Sequence, residues 1–212
     1  MILTEQQIRD YYTTAGLTPV MCVLGGSQSY AMPNADDHDY FGYHVEEHYD
    51  NGTKAGVTTL FSDSTTTLKS IPIIMIAPAI RGDYGAAIAM YTIDNWLYHQ
   101  LVFGDEPQYS NIRNQIIAAK NDDWMRFYTY TAFRFFRDWK EDPENLKARN
   151  IAVRIALTVK WYLNQGTLQC NWTDLTTEYP ITTDEDRTTL KEELKPIFLN
   201  LIIDRINWEM IR

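Results

Sequence analysis

Within one stretch, GGSQSYAMPNADDHDY (residues 25–40), the chain gathers groups suited to holding a phosphorylated ligand. Gly26-Ser27 is followed, after nine residues, by Asp37-His38-Asp39. Glycine lets backbone N–H groups approach an anion closely, and a helix starting at Ser27 would add a favourable dipole. The Ser27 hydroxyl can donate to a phosphate oxygen. In a strand, residues i and i+2 face the same way, which would put Asp37 and Asp39 on one side. Two carboxylates that close repel unless a cation lies between them. A hard cation such as Mg²⁺ takes oxygen ligands and keeps room for phosphate oxygens. Two such ions, roughly 3.5–4 Å apart, clamp the attacking and leaving oxygens of an in-line phosphoryl displacement. The bland alternative is a turn before a solvated acidic strand end, and Asp36-Asp37 alone would fit it.

The flanking sequence supplies elements to position these groups. Thr4-Glu-Gln-Gln7 fits a capping box, predicting a helix to about Ala15 that Gly16 stops. Val20 to Leu24 reads as a buried strand leading into the Gly-Gly-Ser turn. Ser27 to Met32 reads as a short helix ended by Pro33. His38 to Val45 alternates and is aromatic, as strands are. Glu46 to Ser70 is rich in Gly, Thr, Ser, Asp and Asn and reads as loops with one short strand, Gly56 to Phe61. The apolar runs Ile71 to Ala77 and Ala86 to Tyr91 predict two more strands around Arg81-Gly-Asp-Tyr-Gly85.

Beyond Thr92 the pattern turns helical. Asp94 to Phe103, Asp123 to Lys140 and Glu144 to Gln165 are candidate helices, with breaks at Pro143 and Gly166. Thr182 to Arg212 holds a long last helix with an expected kink at Pro196. The division predicted is an α/β core over residues 1–95 and a helical half over 96–212, an α+β chain with a mixed sheet.

Composition narrows the function classes. The 212 residues are 45% hydrophobic and 22% charged, in the range of a globular protein with a real core. A net charge of −9 argues against general DNA or RNA binding, which favours a basic surface. Cys22 and Cys170 form no CxxC pair, so neither a disulfide framework nor a zinc ribbon is expected. No apolar run reaches the length of a membrane span, and MILTEQQIRDYY lacks the basic start and apolar centre of a secretory signal. The localisation expected is cytoplasmic.

Gly26-Ser27, nine residues, then Asp37-His38-Asp39 resembles the signature of the DNA polymerase beta nucleotidyltransferase superfamily. The wider stretch GGSQSYAMPNADDHDYFGYHV resembles one branch, predicted nucleotidyltransferases of bacteria and phages, some encoded beside RNA-ligase genes. Tyr91-Thr-Ile-Asp-Asn-Trp, Gly104-Asp-Glu-Pro-Gln-Tyr-Ser-Asn111 and Lys147-Ala-Arg-Asn-Ile-Ala-Val-Arg154 are similar to later segments of that branch, in the same order. The likeness runs over about residues 18 to 165. It implies a polymerase-beta-type core with the helical half walling a cleft. The implied reaction is transfer of a nucleoside monophosphate from an NTP to a hydroxyl, with Mg²⁺ or Mn²⁺. By the same resemblance Gly26 and Ser27 hold phosphates, Asp37 and Asp39 bind the metal, and Arg154 and Lys147 contact triphosphate or acceptor. The acceptor is open: an RNA end, a protein or a small molecule.

The chain also departs from that pattern. Where the branch carries its third carboxylate, a metal ligand and base, this chain has Ala87, and the nearest acid, Asp83, needs a shift of four residues. Gln28 stands where the branch often has Arg, and Ala31 where it often has Gly. Two readings follow: an active transferase, or a degenerate one serving as a nucleotide- or protein-binding factor, phage-encoded or otherwise.

Other candidates have ordinary explanations. Arg154 sits in the apolar run Ile151 to Leu163, where a charge needs a phosphate or a structural ion pair. His44-Val-Glu-Glu-His48 matches H-x-x-E-H, but it starts at a strand end and runs into a turn, whereas a zinc site needs it on a helix. Trp124, Phe127, Tyr128, Phe135, Phe136 and Trp139 recur at helical spacing and suit core packing better than base stacking. Arg126, Arg134 and Arg137 read as a solvated face.

Overall fold

The computed structural model describes residues 2–33, 35–45, 57–76, 100–118 and 122–211. Two compact units divide the chain, Met1–Lys120 and Asn121–Arg212.

The first unit opens with helix α1, Glu5–Thr14, fixed at its start by the expected capping box. The Thr4 hydroxyl accepts from the Gln7 backbone at 3.3 Å, and the Gln7 side chain accepts from the Thr4 backbone at 2.9 Å. Gly16, at φ 69°, takes the left-handed conformation just beyond it. Strands β1 (Thr18–Gly25), β2 (His38–Val45), β3 (Thr58–Ser62), β4 (Thr66–Pro72) and β5 (Gln100–Phe103) form one sheet in the order β3-β4-β2-β1-β5. β1 pairs antiparallel with β2 and β5, β3 pairs antiparallel with β4, and β2 with β4 is parallel. The sheet is mixed and the fold class is α+β, as expected. Helix α2, Glu106–Ala118, completes this unit.

Helix α1 packs on the sheet through Ile8 and Tyr12, in a core with Leu3, Cys22, Tyr40, Leu68 and Phe103. Tyr12 reaches deepest. Its hydroxyl donates to Ser70 Oγ at 2.8 Å, and Ser70 Oγ lies 2.7 Å from His44 Nδ1, all three residues being buried. Gly42 makes room for it: a Cβ there would lie 1.7 Å from the Tyr12 oxygen.

Several expectations are corrected. Thr66 to Ser70, read as loop, belongs to β4; β-branched threonines suit a strand held between two neighbours. Of Ile71 to Ala77, read as a strand, Ile71 and Pro72 end β4 and a 3₁₀ turn follows, Ile73–Met75, while Ala77 lies outside the described residues. The end of the run read as helix from Asp94 is β5, because Gln100–Phe103 pairs with β1. Helix α2 was not expected at all. Asp105 caps it, accepting from the Gln108 backbone at 2.7 Å, and Pro107 sits in its first turn. Ala86 to Tyr91, with Asp83 and Ala87, lies outside the described residues.

The second unit is helical among its described residues: α3 (Asp122–Glu141), α4 (Leu146–Gln165), α5 (Trp172–Glu178) and α6 (Asp184–Ile211). Asn145 caps α4 by accepting from the Ala148 backbone, and Gly166 at φ 65° ends it. Asn171 caps α5, an element absent from the sequence reading. The last helix runs through Pro196. Of the aromatic run of α3, Tyr128 and Phe136 are buried and Phe135 and Trp139 half-buried, whereas the side chains of Trp124, Arg126 and Phe127 lie outside the described residues. Arg134 and Arg137 are exposed, and Arg137 pairs with Asp138 and Glu141.

Candidate functional site

β1, an interior strand between β2 and β5, delivers the chain to Gly26. There φ 80° and ψ −159° turn the backbone, a conformation open only to glycine. One 3₁₀ turn follows, Ser27–Tyr30, closed by hydrogen bonds from Ser29 N to Gly26 O and from Met32 N to Ser27 O, both 3.1 Å. Tyr30 and Met32 are buried and pin it. The turn is shorter than the helix expected to Met32, so the dipole expected at Ser27 is correspondingly small. Ala31, at φ 53°, ends it in the left-handed region, at the position where the resembled branch often has glycine.

β2 begins at His38, so Asp37 lies one residue ahead of the strand and Asp39 within it. Both carboxylates nevertheless reach the same turn. Ser27 Oγ donates to Asp37 Oδ1 at 2.6 Å. Asp39 pairs in register with Gly25 of β1, and its side chain packs on Gly26, where a Cβ would lie 2.3 Å from Oδ2. The adjacent residues Gly26 and Ser27 thus contact Asp39 and Asp37 respectively. Of the predicted residues, Gly26, Ser27, Asp37 and Asp39 are brought together.

A residue that sequence reasoning missed completes the cluster. Thr67 of β4 stands beside Asp39 in the parallel register, and its hydroxyl donates to Asp39 Oδ1. No motif marks Thr67; only the pairing of β2 with β4 reveals it.

Lys147 and Arg154 both lie on α4 of the second unit. Lys147 is exposed, and Arg154 is 4% exposed, on a helix face with the buried Asn150 and Thr158. His44 faces the core and meets Ser70, whereas Glu47 and His48 lie outside the described residues. Among the described residues no three His, Cys, Asp or Glu side chains gather as a metal site. The donors at the turn are all oxygens, a set that suits a hard divalent cation. Cys22 is buried on β1, and burial pushes its thiol pKa well up. No described helix is long and apolar enough to cross a membrane.

No family model matches the chain, nor does any curated protein. Among solved structures, the chain is similar to a nucleotidyltransferase-like protein from Exiguobacterium sibiricum. The TM-score is 0.35 and the identity 12%, over 93% of this chain and 72% of that one. The functional reading rests on the turn and its carboxylates.

Proposed function

We propose that the protein is a metal-dependent nucleotidyltransferase, moving a nucleoside monophosphate from an NTP to a hydroxyl acceptor. One observation supports this above the rest: the glycine–serine turn at the end of β1 touches two carboxylates, Asp37 just ahead of the neighbouring strand and Asp39 within it. The Ser27–Asp37 bond and the packing of Asp39 on Gly26 bring both carboxylates to the one turn.

In this reading Asp37 and Asp39 would hold Mg²⁺ or Mn²⁺. The cation's contribution, when bound, is to neutralise the triphosphate and polarise the α-phosphorus. Gly26 lets the ligand approach the backbone, and the Ser27 hydroxyl turns from Asp37 to a phosphate oxygen. The acceptor oxygen bonds to the α-phosphorus, the bond from that phosphorus to the bridging oxygen breaks, and pyrophosphate leaves with the electron pair. The acceptor proton passes to solvent, since Ala87 stands where the resembled branch has its base.

Ala87 also favours a second reading, a degenerate transferase that binds nucleotide or protein without transfer. Incubation with Mg²⁺ or Mn²⁺, each α-labelled NTP and a lysate supplying acceptors separates the two. Label transfer by wild type and not by Asp37→Ala/Asp39→Ala supports the enzyme. Metal-dependent NTP binding without transfer, lost in the double variant, supports the second reading. Neither transfer nor NTP binding overturns the enzyme and the nucleotide-binding factor alike, and leaves only a protein-binding one.

A further inference from the structure

The Asp39 carboxylate is held on two sides. Oδ2 lies over Gly26, and Oδ1 accepts from the Thr67 hydroxyl. A hydroxyl that donates to a carboxylate makes a charge-assisted bond, about twice as strong as a neutral one. With one oxygen bonded and the other packed, rotation about the Cβ–Cγ bond is restricted. A carboxylate has about four lone-pair sites, so both oxygens keep capacity for a cation.

The backbone around Thr67 is built to deliver that hydroxyl. Along β4 the side chains of Thr66, Leu68 and Ser70 are buried, while Thr67 and Lys69 are half-buried on the opposite face, the one Asp39 shares. The start of β4 is set by a tight turn from β3. Asp63 Oδ1 accepts from the Thr65 and Thr66 backbones at 2.8 and 2.7 Å, and Asp63 N donates to Thr66 O at 2.9 Å. The turn is also tied to β2 at the residue between the two aspartates, His38 N donating to Thr65 O at 2.8 Å. A shift of one residue in this register would replace Thr67 with a residue facing the other way.

We infer that Thr67 is a positioning residue for Asp39, fixing the carboxylate in the orientation that binds the divalent cation. The inference rests on the proposed function, and it assigns Thr67 no contact with substrate. Groups that orient metal ligands in this way are typically worth roughly 10–100-fold in metal affinity.

Titration of the full-length protein with Mn²⁺ alone, followed by the loss of free Mn²⁺ signal in electron paramagnetic resonance, tests it. The variants are Thr67→Val, which keeps the shape without the hydroxyl, Thr67→Ser, which keeps the hydroxyl, and Asp39→Asn. Circular dichroism checks that each folds. Thr67→Val is expected to weaken Mn²⁺ binding on the order of tenfold, with Thr67→Ser within about twofold of wild type. Wild-type affinity in Thr67→Val, with binding lost in Asp39→Asn, overturns the role of Thr67 and leaves the proposed function standing. Equal losses in Thr67→Val and Thr67→Ser also overturn it, because packing rather than the hydroxyl would then be responsible. If wild type binds Mn²⁺ no better than Asp39→Asn, the proposed function falls and this inference with it.

Discussion

Gly26 and Asp39 occupy one space: a Cβ on Gly26 would lie 2.3 Å from Asp39 Oδ2 and 2.7 Å from its Cβ. Gly26→Ala must therefore displace the carboxylate as well as bear a backbone conformation closed to alanine, at a cost of about 1–3 kcal/mol for the strain alone. The expected outcome is a lower unfolding midpoint in urea together with loss of Mn²⁺ binding. An unchanged midpoint would mean that the turn does not pack this way.

Ala31 carries the opposite prediction. Its φ of 53° strains an alanine and suits glycine. Glycine also loosens the unfolded chain, by about 0.4–1 kcal/mol, which offsets part of the relief. Ala31→Gly is expected to leave stability unchanged or raise it by up to about 1 kcal/mol, read from denaturant unfolding. A clear loss would contradict the left-handed geometry.

Tyr12 and Gly42 should behave as a coupled pair. Tyr12→Phe removes the hydroxyl that Ser70 accepts from, and is expected to cost about 1–3 kcal/mol. Gly42→Ala would place a methyl on that hydroxyl and should cost more. With the oxygen gone, part of the clash disappears, so the double variant should be less destabilised than the sum of the singles. Strict additivity in urea unfolding would show that the two residues do not meet.

Stability of the second unit's last helix should fall in acid. Asp186 accepts from the Thr182 and Thr183 backbones, and the Thr183 hydroxyl accepts from the Asp186 backbone. These bonds, the Thr183 backbone first, lower the Asp186 pKa from 3.8 to about 2. A depressed carboxyl stabilises fully above its unfolded value and loses that contribution as pH falls through its folded value. Asp186→Ala should therefore be less stable than wild type at pH 6, and the difference should shrink between about pH 4 and pH 2. A difference that stays constant across that window in thermal unfolding would sink the assignment.

Cys22 and Cys170 are both buried. Neither thiol should react with an exchange reagent at neutral pH until denaturant is added, when both should. Fast labelling of Cys22 in the native protein would contradict its place between α1 and the sheet.

Local chemistry determined part of this protein in sequence alone. The capping box at Thr4, the strand His38–Val45 and the glycine stop at Gly166 all depend on neighbours within a few residues, and each stands where it was expected. The α2 and α5 helices were missed, although their capping residues Asp105 and Asn171 are local signals that hydrophobic periodicity does not carry. Gly26, Ser27, Asp37 and Asp39 were recognisable by residue type and spacing. What tertiary structure decided is long-range. Gln100–Phe103 is a strand because β1 offers it an edge, and a run of three apolar residues, Leu101 to Phe103, carries no such instruction by itself. Thr66 to Ser70 is a strand because β2 and β3 flank it. Thr67 meets Asp39 only through the parallel register of β2 and β4, across 28 positions of sequence. Backbone hydrogen bonding between distant strands sets that register, and no local pattern of side chains encodes it.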